Sequence, residues 1–386
     1  MLVSLALGFT FLNIPPLGRQ FMALLDIGYD GLSWVLSGML WAHALSQIPA
    51  GLVADRIGPW TTMMAGLSIC ILANLCPFLD PRSLPLAVGM RFCLGVGASL
   101  SLLGAMKTIY LLTPSDQLTR VQGLQGAGFS FGFVLPYLIL PRLGPTAWPF
   151  AYLGSAFFLM AAMGAAFFLP RRKLKPPKTV KTAAEIRRAI FSIISSPAIW
   201  ALGLIHGLSY GSLNNLGNWL PSILADLDGR GNPEAWALAA TLLLLLGTFS
   251  RAFSSQIFYR APRNLVVSRS VLVIVSMYLI MGLAGQRYFV LGAALLMALA
   301  CGANYGGLFT MTAGAFEAAY AATAVGVMNT IANLFNVGIT LFLGYVRQYS
   351  GGFGPSLLAL AGAGFLLWLF GRGAIRRLDQ KMSKAA

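Results

Sequence analysis

The segment Gly51-Leu52-Val53-Ala54-Asp55-Arg56-Ile57-Gly58-Pro59-Trp60 sits between two apolar runs. The first run ends at Ala54, the pair Asp55-Arg56 follows, and Gly58-Pro59 precedes a second run from Thr61. A helix crossing the hydrocarbon core of a bilayer needs about 20 apolar residues. A charge pair and a Gly-Pro step between two such runs predict a short loop joining two membrane helices.

The rest of the chain agrees with that expectation. Its 386 residues are 57% hydrophobic and 10% charged, with a mean hydropathy of +0.75. A soluble domain carries about 25% charged residues, so a bilayer is the expected solvent. Apolar runs between charged or Gly/Pro punctuation predict about twelve transmembrane helices, an all-α membrane protein of two six-helix bundles. Little chain remains for a soluble domain, which excludes an ectodomain receptor or an enzyme with a separate catalytic head. Met1 to Phe11 is apolar without a basic flank or cleavage signature, and reads as the start of the first helix. Cys70, Cys76, Cys93 and Cys301 lie in apolar runs without CxxC spacing, which points to packing rather than to disulfides or zinc. No GxxxxGK[ST] loop occurs. No nucleophile–base or paired-acid constellation suggests an enzyme, and neither a cofactor nor a metal is expected.

The net charge of +16 is topological rather than a nucleic-acid signal. Numbered from a cytoplasmic start, Arg56, Arg120, the run from Arg171 to Arg188, Arg260, Arg263, Arg269 and the tail from Arg372 to Lys384 share one side. The opposite loops hold Arg82, Arg142, Arg230, Arg287 and Arg347. Positive charge is retained on the cytoplasmic side, which places both termini there and adds attraction to anionic lipid. Four regions are expected: a six-helix bundle over 1–169, a basic cytoplasmic linker with an amphipathic helix over 170–196, a second bundle over 197–371, and a basic cytoplasmic tail over 372–386. Ser255 to Pro262 overlays Gly51 to Pro59 at an offset of 204, a faint internal repeat in which Tyr259 replaces Asp55. Parallel repeats of this kind enclose a site at mid-membrane and give alternating access.

The spacing of Gly51, Asp55, Arg56 and Gly58 resembles the loop between the second and third helices of the major facilitator superfamily, with Pro59 and Trp60 replacing the usual basic pair. Arg91, Gly95 and Gly97 resemble the helix 4 element of that superfamily, whose role is structural or coupling. The resemblance implies that Asp55 latches a cytoplasmic gate, with Arg120 as its basic neighbour. It also implies a monomeric transporter that binds neither nucleic acid nor cofactor. Gly128 and Gly132, with Pro136 as a kink, predict close helix approach in the fifth helix.

Charge inside a bilayer is costly and marks candidate sites. Arg19, Arg91, Lys107 and Arg251 are the intramembrane cations, whereas no carboxylate falls deep in an expected helix. Arginine offers a fixed fork of donors for carboxylate, phosphate, sulfate or nitrate, so an anionic substrate is expected. Arg251 lies about 12 Å from the cytoplasmic helix end and resembles the helix 8 arginine of nitrate, oxalate and monocarboxylate members. The alternative is a side chain that snorkels to the interface. Arg19 resembles the helix 1 arginine of organic anion symporters, but Gly18 replaces their preceding acid and the Ala98-Ser99 region lacks their carboxylate. Lys107 reads as a snorkelling gate residue rather than a binding one. His43 is either a packing residue or the carrier of a coupling proton, and His206 is read the same way. Tyr210, Asn214 and Asn218 share one helix face, as do Asn329, Asn333 and Asn336. Gln47 is the repeat mate of Arg251. Substrate is expected between Arg19, Gln47, Arg251 and these faces, with a proton or counter-anion as coupling partner, in a multi-pass protein of the bacterial inner membrane. Two rival functions are export of an apolar or cationic compound and a transporter-like scaffold or receptor.

Overall fold

The computed structural model describes residues 1–112, 118–144, 146–169, 183–229, 233–258, 262–316 and 321–385. Within those stretches the side chains of Asp55, Arg120 and several neighbours are not described. Most of the expected linker, and Tyr259 and Arg260 of the repeat, also lie outside the described residues.

The described backbone is helical. It forms two compact units, Met1–Val180 with Asn232–Thr241, and Lys181–Gly231 with Leu242–Ala386. In the first unit α1 is Leu2–Phe11, α2 Gly18–Leu25, α3 Tyr29–Ile57, α4 Pro59–Leu75, α5 Leu84–Leu112, α6 Leu118–Ile139 and α7 Trp148–Phe167. In the second, α8 is Ala183–Ile194, α9 Pro197–Asp228, α11 Arg263–Leu283, α12 Arg287–Ala303, α13 Tyr305–Ala315, α14 Ala321–Ser350 and α15 Gly354–Ala385, while α10, Ala237–Phe258, begins in the first. Among the described residues, eight helical stretches, Leu2–Leu25 and Gly354–Gln380 included, are long and apolar enough to cross a membrane. Helices α3 and α9, with 29 and 32 residues, exceed the span length but carry polar faces.

The loop expected at Gly51–Trp60 is shorter than its composition suggests. Helix α3 continues through Asp55 and Arg56 to Ile57, and Gly58 alone turns the chain, at φ 91°. That conformation is open to glycine and strained for other residues. Pro59 then occupies the first turn of α4, where its missing N–H costs nothing. Trp60 donates its indole N–H to the carbonyl of Ala166 at 3.0 Å. The position that breaks the family pattern therefore ties α4 to α7.

Between α1 and α2 the helix is broken at Pro15-Pro16, which start a short 3-10 turn, Pro15–Leu17. The break is held by Arg91, which is 2% exposed. Its Nη1 donates to the carbonyl of Thr10 at 3.1 Å and to Asn13 Oδ1 at 3.2 Å, its Nη2 to the carbonyl of Phe11 at 3.3 Å, and its Nε to that of Val35 at 3.3 Å. Pro15 has no N–H to give the Phe11 carbonyl, so the guanidinium replaces a missing helical donor. Asn13 Nδ2 in turn binds the carbonyl of Ala151 and Ser155 Oγ, joining α1 to α7.

Helix α5 packs along α3 and α4. A Cβ at Gly95 would collide with the Met39 carbonyl, and one at Gly132 with the Leu5 carbonyl, so these glycines set how closely α3–α5 and α1–α6 approach.

In the second unit α9 lies along α14. Asn215 Nδ2 donates to Asn336 Oδ1 at 2.7 Å across that seam. This gives Asn336 a helix-joining role. The C-terminal end of α9 carries Asp226, paired with Arg347 at 2.6 and 3.0 Å, and Asp228, paired with Arg287. Asn304, fully buried, sits between α12 and α13 at near-helical dihedrals, φ −85° and ψ −10°, and its Nδ2 donates to Ser209 Oγ at 2.6 Å. The basic tail is a continuation of α15, because arginine and lysine are good helix formers and the end of an apolar run is not the end of a helix.

Candidate functional site

Within the second unit, four rings and a guanidinium converge. His206 on α9 stacks on Tyr210 at 5.8 Å and meets Tyr305 at 5.8 Å and Phe309 at 5.2 Å. Tyr305 and Phe309, one turn apart on α13, lie 4.3 Å from each other. Arg251 on α10 places its Cζ 4.3 Å over the Tyr305 ring. It lies within electrostatic reach of His206 and Tyr210. A cation over a ring face contributes about 0.5–2 kcal/mol, more when desolvated. Asn329 on α14 lies within interaction range of the His206 ring. His206 is buried, while Tyr210, Arg251, Tyr305, Phe309 and Asn329 are each partly exposed. The cluster is thus a half-open wall with a positive charge set in it.

Tyr305 and Phe309 lie in the first two turns of α13, just after Asn304. Of the predicted residues, the structure brings Arg251, Tyr210 and Asn329 together here. Asn214, Asn218 and Asn333 are buried nearby on α9 and α14. Asn333 Nδ2 donates to the Asn329 carbonyl at 2.8 Å. Asn218 Oδ1 and Asn333 Oδ1 make no hydrogen bond among the described residues. Sequence reasoning missed Tyr305 and Phe309.

The first unit assembles a second polar cluster. Ser99 Oγ lies 2.9 Å from His43 Nδ1 and 3.1 Å from the His43 carbonyl. A hydroxyl has one proton, and the carbonyl can only accept it, so Nδ1 carries the hydrogen that Oγ receives. In a neutral ring Nε2 then accepts, which matches Gln47 Nε2 at 3.2 Å. Phe11 closes the other side, edge-on at 5.3 Å. Gln47 is thereby joined to His43, one turn away on the same helix.

The remaining predicted residues are dispersed. Arg19 is exposed on α2, after the helix 1 break. Lys107 Nζ donates to the Gly51 carbonyl at 3.1 Å, linking α5 to the α3 end. Arg56 is exposed in the last turn of α3. Gly97 backs onto Cys70 and Gly66, Gly128 onto Met1, and Pro136 is buried within α6. A cavity of about 460 Å³ in this unit, lined by Ser4, Met63, Thr108 and Gln125 among others, contains none of the predicted residues. Among the described residues no cluster of His, Cys, Asp or Glu is suited to a metal ion. The described carboxylates lie at or near helix ends or in turns: Asp26, Asp30, Asp80, Glu185, Asp226, Asp228 and Asp379.

Known proteins place the chain in context. Probable anion transporter 6 of Oryza sativa subsp. japonica is 27% identical over 209 residues, 49% of this chain and 47% of that protein. Its chloroplastic namesake in Arabidopsis thaliana is 24% identical over 213 residues, 50% of this chain and 40% of that protein. The matches therefore span about half the length of these relatives or less. Among solved structures, a mutant of the nucleoside transporter NupG superposes with a TM-score of 0.78 at 12% identity, covering 97% of this chain and 98% of that one. At that identity the likeness concerns the fold. These relatives are transporters rather than enzymes. The model of the Major Facilitator Superfamily matches residues 1–338, and the chain, a multi-pass integral membrane protein, belongs to that superfamily.

Proposed function

We propose that the chain moves a small anion, a carboxylate or inorganic anion, across a membrane by alternating access. Twelve crossings follow from the apolar runs, and cytoplasmic termini from the charge distribution. The bacterial inner membrane suits that reading, and the chloroplast setting of the Arabidopsis relative is the competing location. The observation that carries the proposal is Arg251, set against Tyr305 in a half-open polar and aromatic face. No described carboxylate lies within that face. A cationic solute gains nothing from such a face, whereas an oxyanion gains charge-assisted hydrogen bonds. Tyr210, Asn214, Asn218, Asn329 and Asn333 supply further polar groups. The relatives named as anion transporters support the same reading.

His43 is proposed as the proton carrier. Its neutral ring is held by Ser99 and Gln47, and rotation of the Gln47 amide would present an oxygen to a protonated Nε2. Symport of anion and proton then needs no intramembrane carboxylate. Purified protein in liposomes provides the test, with labelled anions outside and an imposed pH gradient. Arg251→Ala is expected to lower uptake at least tenfold, and His43→Phe to keep exchange while losing gradient-driven accumulation. Wild-type uptake by Arg251→Ala would sink the anion site.

A further inference from the structure

We infer that the face around Arg251 is built for a planar, conjugated carboxylate rather than for a tetrahedral oxyanion. This rests on the reading of Arg251 as the anion-binding group. The ring wall carries the argument. Tyr210, Tyr305 and Phe309 all lie within 6 Å of the His206 ring, measured between centroids. Except for His206 these rings are partly exposed, so the wall is not spent on core packing alone.

The guanidinium of Arg251 lies over one of those rings, 4.3 Å from its centroid. A guanidinium binds a carboxylate in its own plane, by two parallel N–H···O bonds. The group attached to that carboxylate then runs alongside the ring wall. A flat conjugated group meets the rings face-on or edge-on, the arrangements aromatic pairs prefer. A saturated ring of the same size gains area but not those arrangements. Phosphate and sulfate reach the arginine and leave the wall untouched.

Three probes separate the possibilities on the purified full chain in detergent: benzoate, cyclohexanecarboxylate and inorganic phosphate. Affinities are read by calorimetry at constant pH. Benzoate is expected to bind about tenfold tighter than cyclohexanecarboxylate, in line with an aromatic pair, and phosphate weakest. Tyr305→Leu is expected to bring benzoate down to the level of cyclohexanecarboxylate. Tyr305→Phe, which keeps the ring and guards against misfolding, should retain the preference. Arg251→Ala should remove both carboxylates. Equal affinity for the two carboxylates, or tighter binding of phosphate, overturns the planar class and leaves the anion reading standing. Failure of all three anions to bind, or binding unchanged in Arg251→Ala, overturns both.

Discussion

Arg91 and Arg251 are both arginines in the middle of apolar helices, one in each unit, and their surroundings differ in kind. Arg91 is 2% exposed, and its donors meet three main-chain carbonyls and one asparagine oxygen. All four partners belong to the fold, and two of them are carbonyls at the broken end of α1. Arg251 is half-open and lies over an aromatic ring. A guanidinium enclosed by main-chain acceptors acts as a fastening. One that rests on a ring at a partly exposed face has a geometry that a ligand can complete. Ionisable residues in membrane helices are functional candidates by default. Residue type alone does not distinguish the two surroundings: one guanidinium is enclosed by main-chain acceptors and the other lies over a partly exposed ring.

The most forceful way to break this contrast is Arg91→Leu. It leaves the Thr10 and Phe11 carbonyls at the end of α1, and Asn13 Oδ1, buried without that donor, at a cost of about 1–3 kcal/mol for each group left unsatisfied. A large loss of thermal stability in detergent is expected, whereas Arg251→Ala should unfold close to wild type. Equal loss in both would erase the distinction between fastening and site.

The α9–α14 seam gives a smaller effect. Asn215→Leu strands Asn336 Oδ1, its partner at 2.7 Å, and should cost about 1–3 kcal/mol. Replacing both asparagines by leucine should recover much of that loss, since no buried polar partner is then stranded. Thermal unfolding of the two single variants and the double variant measures the coupling. A double variant as unstable as the sum of the singles would show that the pair is not a unit.

The ion pair of Asp226 with Arg347 at the α9 C-terminus should matter least. Both side chains are about one-fifth exposed, and pairs of that type are worth about 0–1 kcal/mol. Asp226→Asn is expected to lower the unfolding temperature slightly, with the difference vanishing at high salt. A large, salt-independent loss would mean that the clasp at the α9 end holds more of the unit than its geometry implies.

Much of this was legible in the sequence. Twenty-residue apolar runs give the helices, because a bilayer leaves the main chain few other ways to satisfy its hydrogen bonds. Pro15-Pro16 marks the break in helix 1, and Gly58-Pro59 marks the turn. Arg251, Tyr210 and Asn329 stood out because polar groups are scarce in such runs. The loop around Asp55 was read too long, since Asp55 and Arg56 look like loop residues and yet belong to the last helical turns of α3. Tyr305 and Phe309 were invisible because an apolar helix has no polar face to orient it.

The sequence by itself determined the solvent, the helix content, the family and the scarcity of intramembrane charge. Each of these depends on composition and on spacing along one helix. Tertiary structure decided which arginine is enclosed by carbonyls and which rests on a ring. It also decided that His43 meets Ser99 and that Tyr305 meets Arg251. Those contacts join residues 54 to 56 positions apart. They depend on which helix faces turn toward each other, and no periodicity within a single helix records that.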